Sequence, residues 1–175
     1  MTRTDELRSN VILIGMPGAG KSTVGVVLAK RLGKNFVDTD LLIQAREGRR
    51  LQEIIDQDGL ERFRAVEEEV IVALDVCNAV IATGGSVVYS TAGMAALREI
   101  GTVVFLDVPL AELERRVRDM DDRGLVLDPG DTLADLYRKR LPLYRHYAQL
   151  TAKISGSVEE SAAAIAQQLQ DSPAL

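Results

Sequence analysis

Short apolar-rich runs at 11–14, 35–38, 79–82, 102–106 and 152–154 alternate along the chain with longer stretches whose apolar positions return every three or four residues. Runs such as Val103-Val104-Phe105-Leu106 lack the in–out alternation of a half-exposed strand, so they predict strands of a sheet buried on both faces. The longer stretches predict helices. Val24, Val27, Leu28 and Leu32 share one face of a helix that Gly33, a residue at ease in the left-handed conformation, should end. Similar patterns predict helices over 41–46, 64–74, 91–100, 133–150 and 158–169. Strands alternating with helices predict a parallel sheet wrapped by helices.

Chemistry enters at the first strand–helix junction. Gly15-Met16-Pro17-Gly18-Ala19-Gly20-Lys21-Ser22 satisfies the spacing of glycine, four residues, glycine, lysine, hydroxyl, and Thr23 continues into the helix. Glycines let backbone N–H groups approach phosphate oxygens, Lys21 supplies positive charge to the outer phosphates, and Ser22 offers an oxygen to magnesium. The loop therefore predicts a nucleoside triphosphate site. The second strand ends in Phe36-Val37-Asp38-Thr39-Asp40, which puts two carboxylates beyond the carboxyl end of a parallel strand, where such sheets bind ligands. One of the two can reach magnesium through water and the other the hydroxyl of an acceptor, unless Asp40 merely caps the next helix. The third strand ends in Thr83-Gly84-Gly85-Ser86, whose glycines let a ligand press against backbone. Arg64, Arg116, Arg123 and Arg140 are candidates for gripping carboxylates or phosphates.

Other features narrow the class. Residues 120–132 break the helical pattern with one arginine, Arg123, among acids and glycines, and read as a lid. A net charge of −5 argues against a general nucleic-acid surface and favours a small metabolite. The lone Cys77, beside Val76 and Val80, reads as a semi-buried thiol in a reducing cytoplasm. Residues 1–10 lack the apolar core of a secretory signal, and no apolar run reaches membrane-spanning length. The expectation is one cytoplasmic domain over 1–175, a monomer without membrane or nucleic-acid partners. The sole histidine, His146, has no metal-ligand spacing, and Glu67-Glu68-Glu69 reads as a solvated helix face beside buried Val66 and Val70.

Taken in order, the phosphate loop, Asp38-Thr39-Asp40, Phe63-Arg64, Thr83-Gly84-Gly85, Arg123 and Arg140-Leu141-Pro142-Leu143-Tyr144 resemble the shikimate kinase family over nearly the whole chain. The resemblance implies a P-loop, nucleoside-monophosphate-kinase-like α/β/α sandwich with a five-stranded parallel sheet and a lid loop. It implies ATP and Mg2+ as cofactors and shikimate, a carboxylate-bearing alcohol, as acceptor. Asp40 then meets the acceptor hydroxyls, Arg64 and Arg140 hold its carboxylate, and the Gly84–Gly85 backbone faces it. Arg123 closes on the phosphates with Lys21, Arg116 packs on adenine, and Ser22 holds magnesium with Asp38 through water. The chain departs from the usual family pattern at Ser86, normally a third glycine, at Leu60, normally glutamate, and at Gly124, normally proline. These departures keep open a same-fold kinase for another hydroxy acid such as gluconate, or a nucleotide-binding regulatory module without transfer activity.

Overall fold

The computed structural model describes residues 9–118 and 131–172. Five strands, β1 (Asn10–Ile14), β2 (Asn35–Asp38), β3 (Ala79–Ala82), β4 (Gly101–Asp107) and β5 (Leu150–Lys153), form one parallel sheet in the order β2-β3-β1-β4-β5. The helices described are α1 (Lys21–Leu32), α2 (Thr39–Glu47), α3 (Leu51–Val72), α4 (Thr91–Ile100), α5 (Leu110–Arg118), α6 (Leu133–Tyr147) and α7 (Val158–Asp171). This is the α/β architecture expected from the pattern. Central β1 is buried at every position because it pairs with β3 on one side and β4 on the other beneath helices. Its apolar run therefore needs no polar alternate. Gly25 matters to that packing: a side-chain carbon there would lie 2.7 Å from Phe36 Cε2, so only glycine lets α1 come this close to β2.

A second apolar cluster, Ile43, Ile54, Phe63, Val66 and Val70, fastens α2 to α3. Burying each such side chain contributes roughly 1.5–3 kcal/mol. The contact brings Asp40 on α2 close to Glu67 on α3. Inside α3, Gly59 leaves helical geometry at φ 84° and ψ 164°, so the two halves of α3 meet at a break.

Several boundaries differ from expectation. α3 starts at Leu51, well before the predicted 64, with Glu53 closing back on the Arg50 N–H at 2.8 Å. α6 stops at Tyr147 rather than 150, because the sheet edge captures the chain: the Gln149 N–H donates to Val103 O at 2.9 Å, and Leu150 pairs with Val104. Consequently β5 begins two residues before the predicted strand. Cys77 is exposed, not semi-buried, since it lies in the connection after α3, outside the sheet. His146 is exposed and meets Tyr147 edge-on, at 4.9 Å between ring centroids. Most of the stretch read as a lid, with Arg123 and Gly124, lies outside the described residues. Thr132 at its end caps α6 by accepting from the Asp135 N–H at 3.1 Å.

Candidate active site

The loop after β1 turns on glycines with positive φ, Gly18 at 78° and Gly20 at 91°, and delivers Lys21 as the first residue of α1. No side chain caps this helix and its first turn holds no acid, so its N–H groups remain available to an anion. Lys21 Nζ is buried and donates to Gly15 O at 2.9 Å and Met16 O at 3.0 Å. Burial lowers its pKa to about 8 despite the raising influence of Asp40. The loop thus holds a preset, poorly solvated ammonium. Pro17, Gly18, Gly20, Lys21, Ser22 and Thr23 line a cavity of about 710 Å³, whereas Gly15 packs against β4 and Ala19 is fully buried behind the loop. Arg116 lines the same cavity, held by Glu112 at 2.7 Å and donating to Gly18 O and Ala19 O at 3.4 Å.

The two aspartates divide in a way the sequence left open. Asp38, not Asp40, caps α2, accepting from the Asp40 N–H through Oδ1 at 3.0 Å. Its other oxygen accepts from Ser22 Oγ at 2.6 Å. Asp40, freed from capping, lines the cavity, and its buried Oδ1 accepts no hydrogen bond among the described residues. Burial, with Asp38 nearby and Lys21 opposing, raises its carboxyl to about 6.

Glu67 corrects the reading of a solvated acidic face. Glu69 is exposed, pairing with Arg46, and Glu68 accepts from Ser90 Oγ, but Glu67 is 2% exposed. Its Oε2 accepts from Ser86 Oγ at 2.7 Å while its Oε1 is buried without a partner among the described residues. Burial pushes its carboxyl up to about 7, against the lowering effect of the Ser86 hydrogen bond. Helix α3 turns this one glutamate of the triplet inward, onto the turn after β3. There a side chain on Gly84 would strike Glu67 Oε1 and come within 3.0 Å of Asp40 Oδ1, so glycine leaves both carboxylates where they are. Both unsatisfied oxygens thus converge on one glycine beside the cavity. No feature of the triplet singles out Glu67; the three-residue step from Arg64 to Glu67 along one helix face was the available signal.

Arg140 is 1% exposed and lines the large cavity. A side chain on Gly85 would reach 3.0 Å from both Arg140 Nη1 and Pro17 Cδ, so glycine here holds open the space between the phosphate loop and the arginine. Gly85 O accepts from Tyr144 Oη at 2.7 Å, and Tyr144 stacks on Phe105 with centroids 5.2 Å apart, tying α6 to β4. Arg64, like Arg140, lies against the Tyr89 ring but opens into a neighbouring cavity of about 170 Å³. The structure therefore gathers Lys21, Ser22, Asp40, Gly84, Gly85, Arg116 and Arg140 on one cavity, sets Asp38 and Arg64 beside it, and leaves Arg123 outside the described residues.

Residues 17–170 match the family model described as shikimate kinase. The shikimate kinase of Paracidovorax citrulli (strain AAC00-1) is 42% identical over 165 residues, covering 91% of this chain and 89% of that protein. That of Thermobifida fusca (strain YX) is 42% identical over 158 residues, covering 89% and 91%. The chain belongs to the shikimate kinase family. Among solved structures, a shikimate kinase from Acinetobacter baumannii in complex with shikimate matches with TM-score 0.83 and 33% identity, with 94% of each chain covered. Within this family the departures at Ser86 and Leu60 now have places: Ser86 holds Glu67, and Leu60 packs on the α2–α3 apolar cluster.

Proposed function

We propose that the protein transfers the γ-phosphoryl group of ATP to the 3-hydroxyl of shikimate, giving shikimate 3-phosphate and ADP. One observation carries this reading: a single cavity is walled by the phosphate loop and by Asp40, Gly85 and Arg140. Phosphoryl transfer is mainly positioning plus charge stabilisation, so the two halves of such a wall are what the reaction needs. The open N-terminus of α1 and the Lys21 ammonium bind the polyphosphate and take up charge as it moves onto the bridging oxygen. Asp40, whose unsatisfied Oδ1 sits at the cavity, orients the attacking hydroxyl and accepts its proton. Arg140 and Arg64 hold the acceptor carboxylate, and Glu67 balances their charge. Arg116 packs on the adenine, and Arg123 is assigned to the phosphates by the family pattern.

Magnesium fits the residues present. Ser22 Oγ and Asp38 Oδ2 are hard oxygen donors beside the phosphate loop, 2.6 Å apart. Among the described residues no group of three or more His, Cys, Asp or Glu could hold a metal unaided, as suits an ion bound largely by phosphates and water. Bound there, it would neutralise phosphate charge. We take the chain to act as one domain, a monomer in the cytoplasm, for which the single sheet and lone thiol speak.

A coupled ADP-release assay across shikimate, quinate, gluconate and homoserine tests the reading. Shikimate should give the highest kcat/KM. A higher value for gluconate would reassign the acceptor, and no release with any of them would leave a nucleotide-binding module.

A further inference from the structure

The ring of Tyr89 is the meeting point of the two acceptor-side arginines. Arg64 Cζ lies 5.0 Å and Arg140 Cζ 5.2 Å from its centroid, and its hydroxyl accepts from Arg140 Nε at 3.4 Å. The ring has a firm mount. It ends the 3₁₀ turn Val87–Tyr89, whose Val87 and Val88 are buried, and hydrogen bonds from Ser86 to Glu67 and from Ser90 to Glu68 tie that turn to α3. Arg140 faces the large cavity and Arg64 the small one, which Tyr89 also lines.

Two guanidiniums that converge on one ring repel each other, and half-buried Arg64 hangs on a flexible stem whose freedom is lost when a ligand is gripped. The shared ring attracts both guanidiniums and narrows their placement before any acceptor arrives. We propose that Tyr89 is a positioning residue that presets the Arg64–Arg140 pair for a planar carboxylate, and so sets the preference for acidic over neutral acceptors. This inference rests on the carboxylate-bearing acceptor argued above.

Tyr89→Leu removes the π face and keeps much of the bulk, whereas Tyr89→Phe keeps the face and loses the hydroxyl. With each, kcat and KM are measured for shikimate, for its neutral carboxamide and for ATP. Tyr89→Leu should raise the KM for shikimate on the order of tenfold, with kcat and the KM for ATP within about twofold of native. Its preference for acid over amide should shrink by the same factor, and Tyr89→Phe should restore that preference. Tyr89→Met is a second ring-free variant with the same expectation should the leucine variant not fold. The proposal is overturned if a ring-free variant keeps the native acid-to-amide ratio, loses both acceptors equally or binds shikimate more tightly, or if Tyr89→Phe fails to restore the ratio. A native enzyme that does not distinguish acid from amide sinks the carboxylate reading instead, so the two failures are separable.

Discussion

The core of the nucleotide end comes from one unbroken stretch, 15–22, joined by Asp38 at the end of β2 and Arg116 from α5, whereas the acceptor end draws Asp40 from α2, Arg64 and Glu67 from α3, Gly84 to Tyr89 from the turn after β3, and Arg140 from α6. The first relies on backbone N–H groups and one lysine, whose geometry follows from local glycine conformations. The second relies on ionisable side chains out of water, where the Asp40 and Glu67 carboxylates disfavour each other's charge and Lys21, Arg64 and Arg140 offset it. A local site is set by a motif and a distributed one by packing. The two ends should therefore fail independently and by different amounts.

The largest effect is expected at the nucleotide end. Lys21→Ala should lower kcat about a thousandfold by removing a preset charge from the transition state. Shikimate binding, measured by titration calorimetry, should survive. Because burial depresses the Lys21 pKa, its charge strains the folded protein, and the variant should melt no lower than native. A lower melting temperature together with lost acceptor binding would show that the two ends are not separable.

Next comes the acceptor end. Arg140→Ala should cost on the order of 2 to 4 kcal/mol in kcat/KM for shikimate, since it leaves a buried grip with one arm. Arg64→Ala should cost less, because Arg64 is only half-buried and off the main wall. Neither should change the KM for ATP appreciably, and an equal loss toward ATP would break the division.

A smaller effect sharpens the comparison through pH. Asp40 and Glu67 titrate as neighbours near 6 and 7, and both are assigned to work ionised, so kcat/KM for shikimate should climb through both steps. Glu67→Gln should keep only the step near 6. Stability should move the opposite way. Both folded values lie above the ordinary 3.8 and 4.5, so the fold takes up protons, and the stability this confers is full below those ordinary values and lost as pH rises through about 6 to 7. The melting temperature of the native protein should therefore fall between pH 5 and pH 8 more than that of Glu67→Gln. A Glu67→Gln variant with the native pH profile and melting curve would remove Glu67 from the acceptor end.

Ser86→Gly should have the mildest consequence. It deletes one hydrogen bond to Glu67, worth about 1 kcal/mol, and with it the influence that lowers the Glu67 pKa. The upper step of the acceptor pH profile should shift to higher pH, with ATP kinetics unaltered. An unshifted step would mean that Ser86 merely fills space.

The phosphate loop was legible because its spacing, glycine conformations and flanking strand and helix all lie within one stretch of chain. The parallel sheet was legible for a similar reason, since continuous apolar runs such as 103–106 suit strands covered on both faces and alternate with helical patterns. That the end of β2 would bring an aspartate to the cavity was readable as well. Which one was not, because capping depends on where α2 begins, and Asp38 takes the cap.

Glu67 shows the limit most clearly. Three consecutive glutamates look alike in sequence, and a charge run usually faces water. Only the seating of α3 against α2 and the β3 turn buries the first, half-covers the second and exposes the third. In the same way, nothing near Arg64 in the chain announces Tyr89 or Arg140. By itself the sequence determined what depends on neighbours along the backbone: the strands, most helices, the phosphate loop and the kinds of side chain on offer. The tertiary structure decided which carboxylates lose water and which arginines share a ring, because desolvation and charge pairing act through space between residues that the sequence holds far apart.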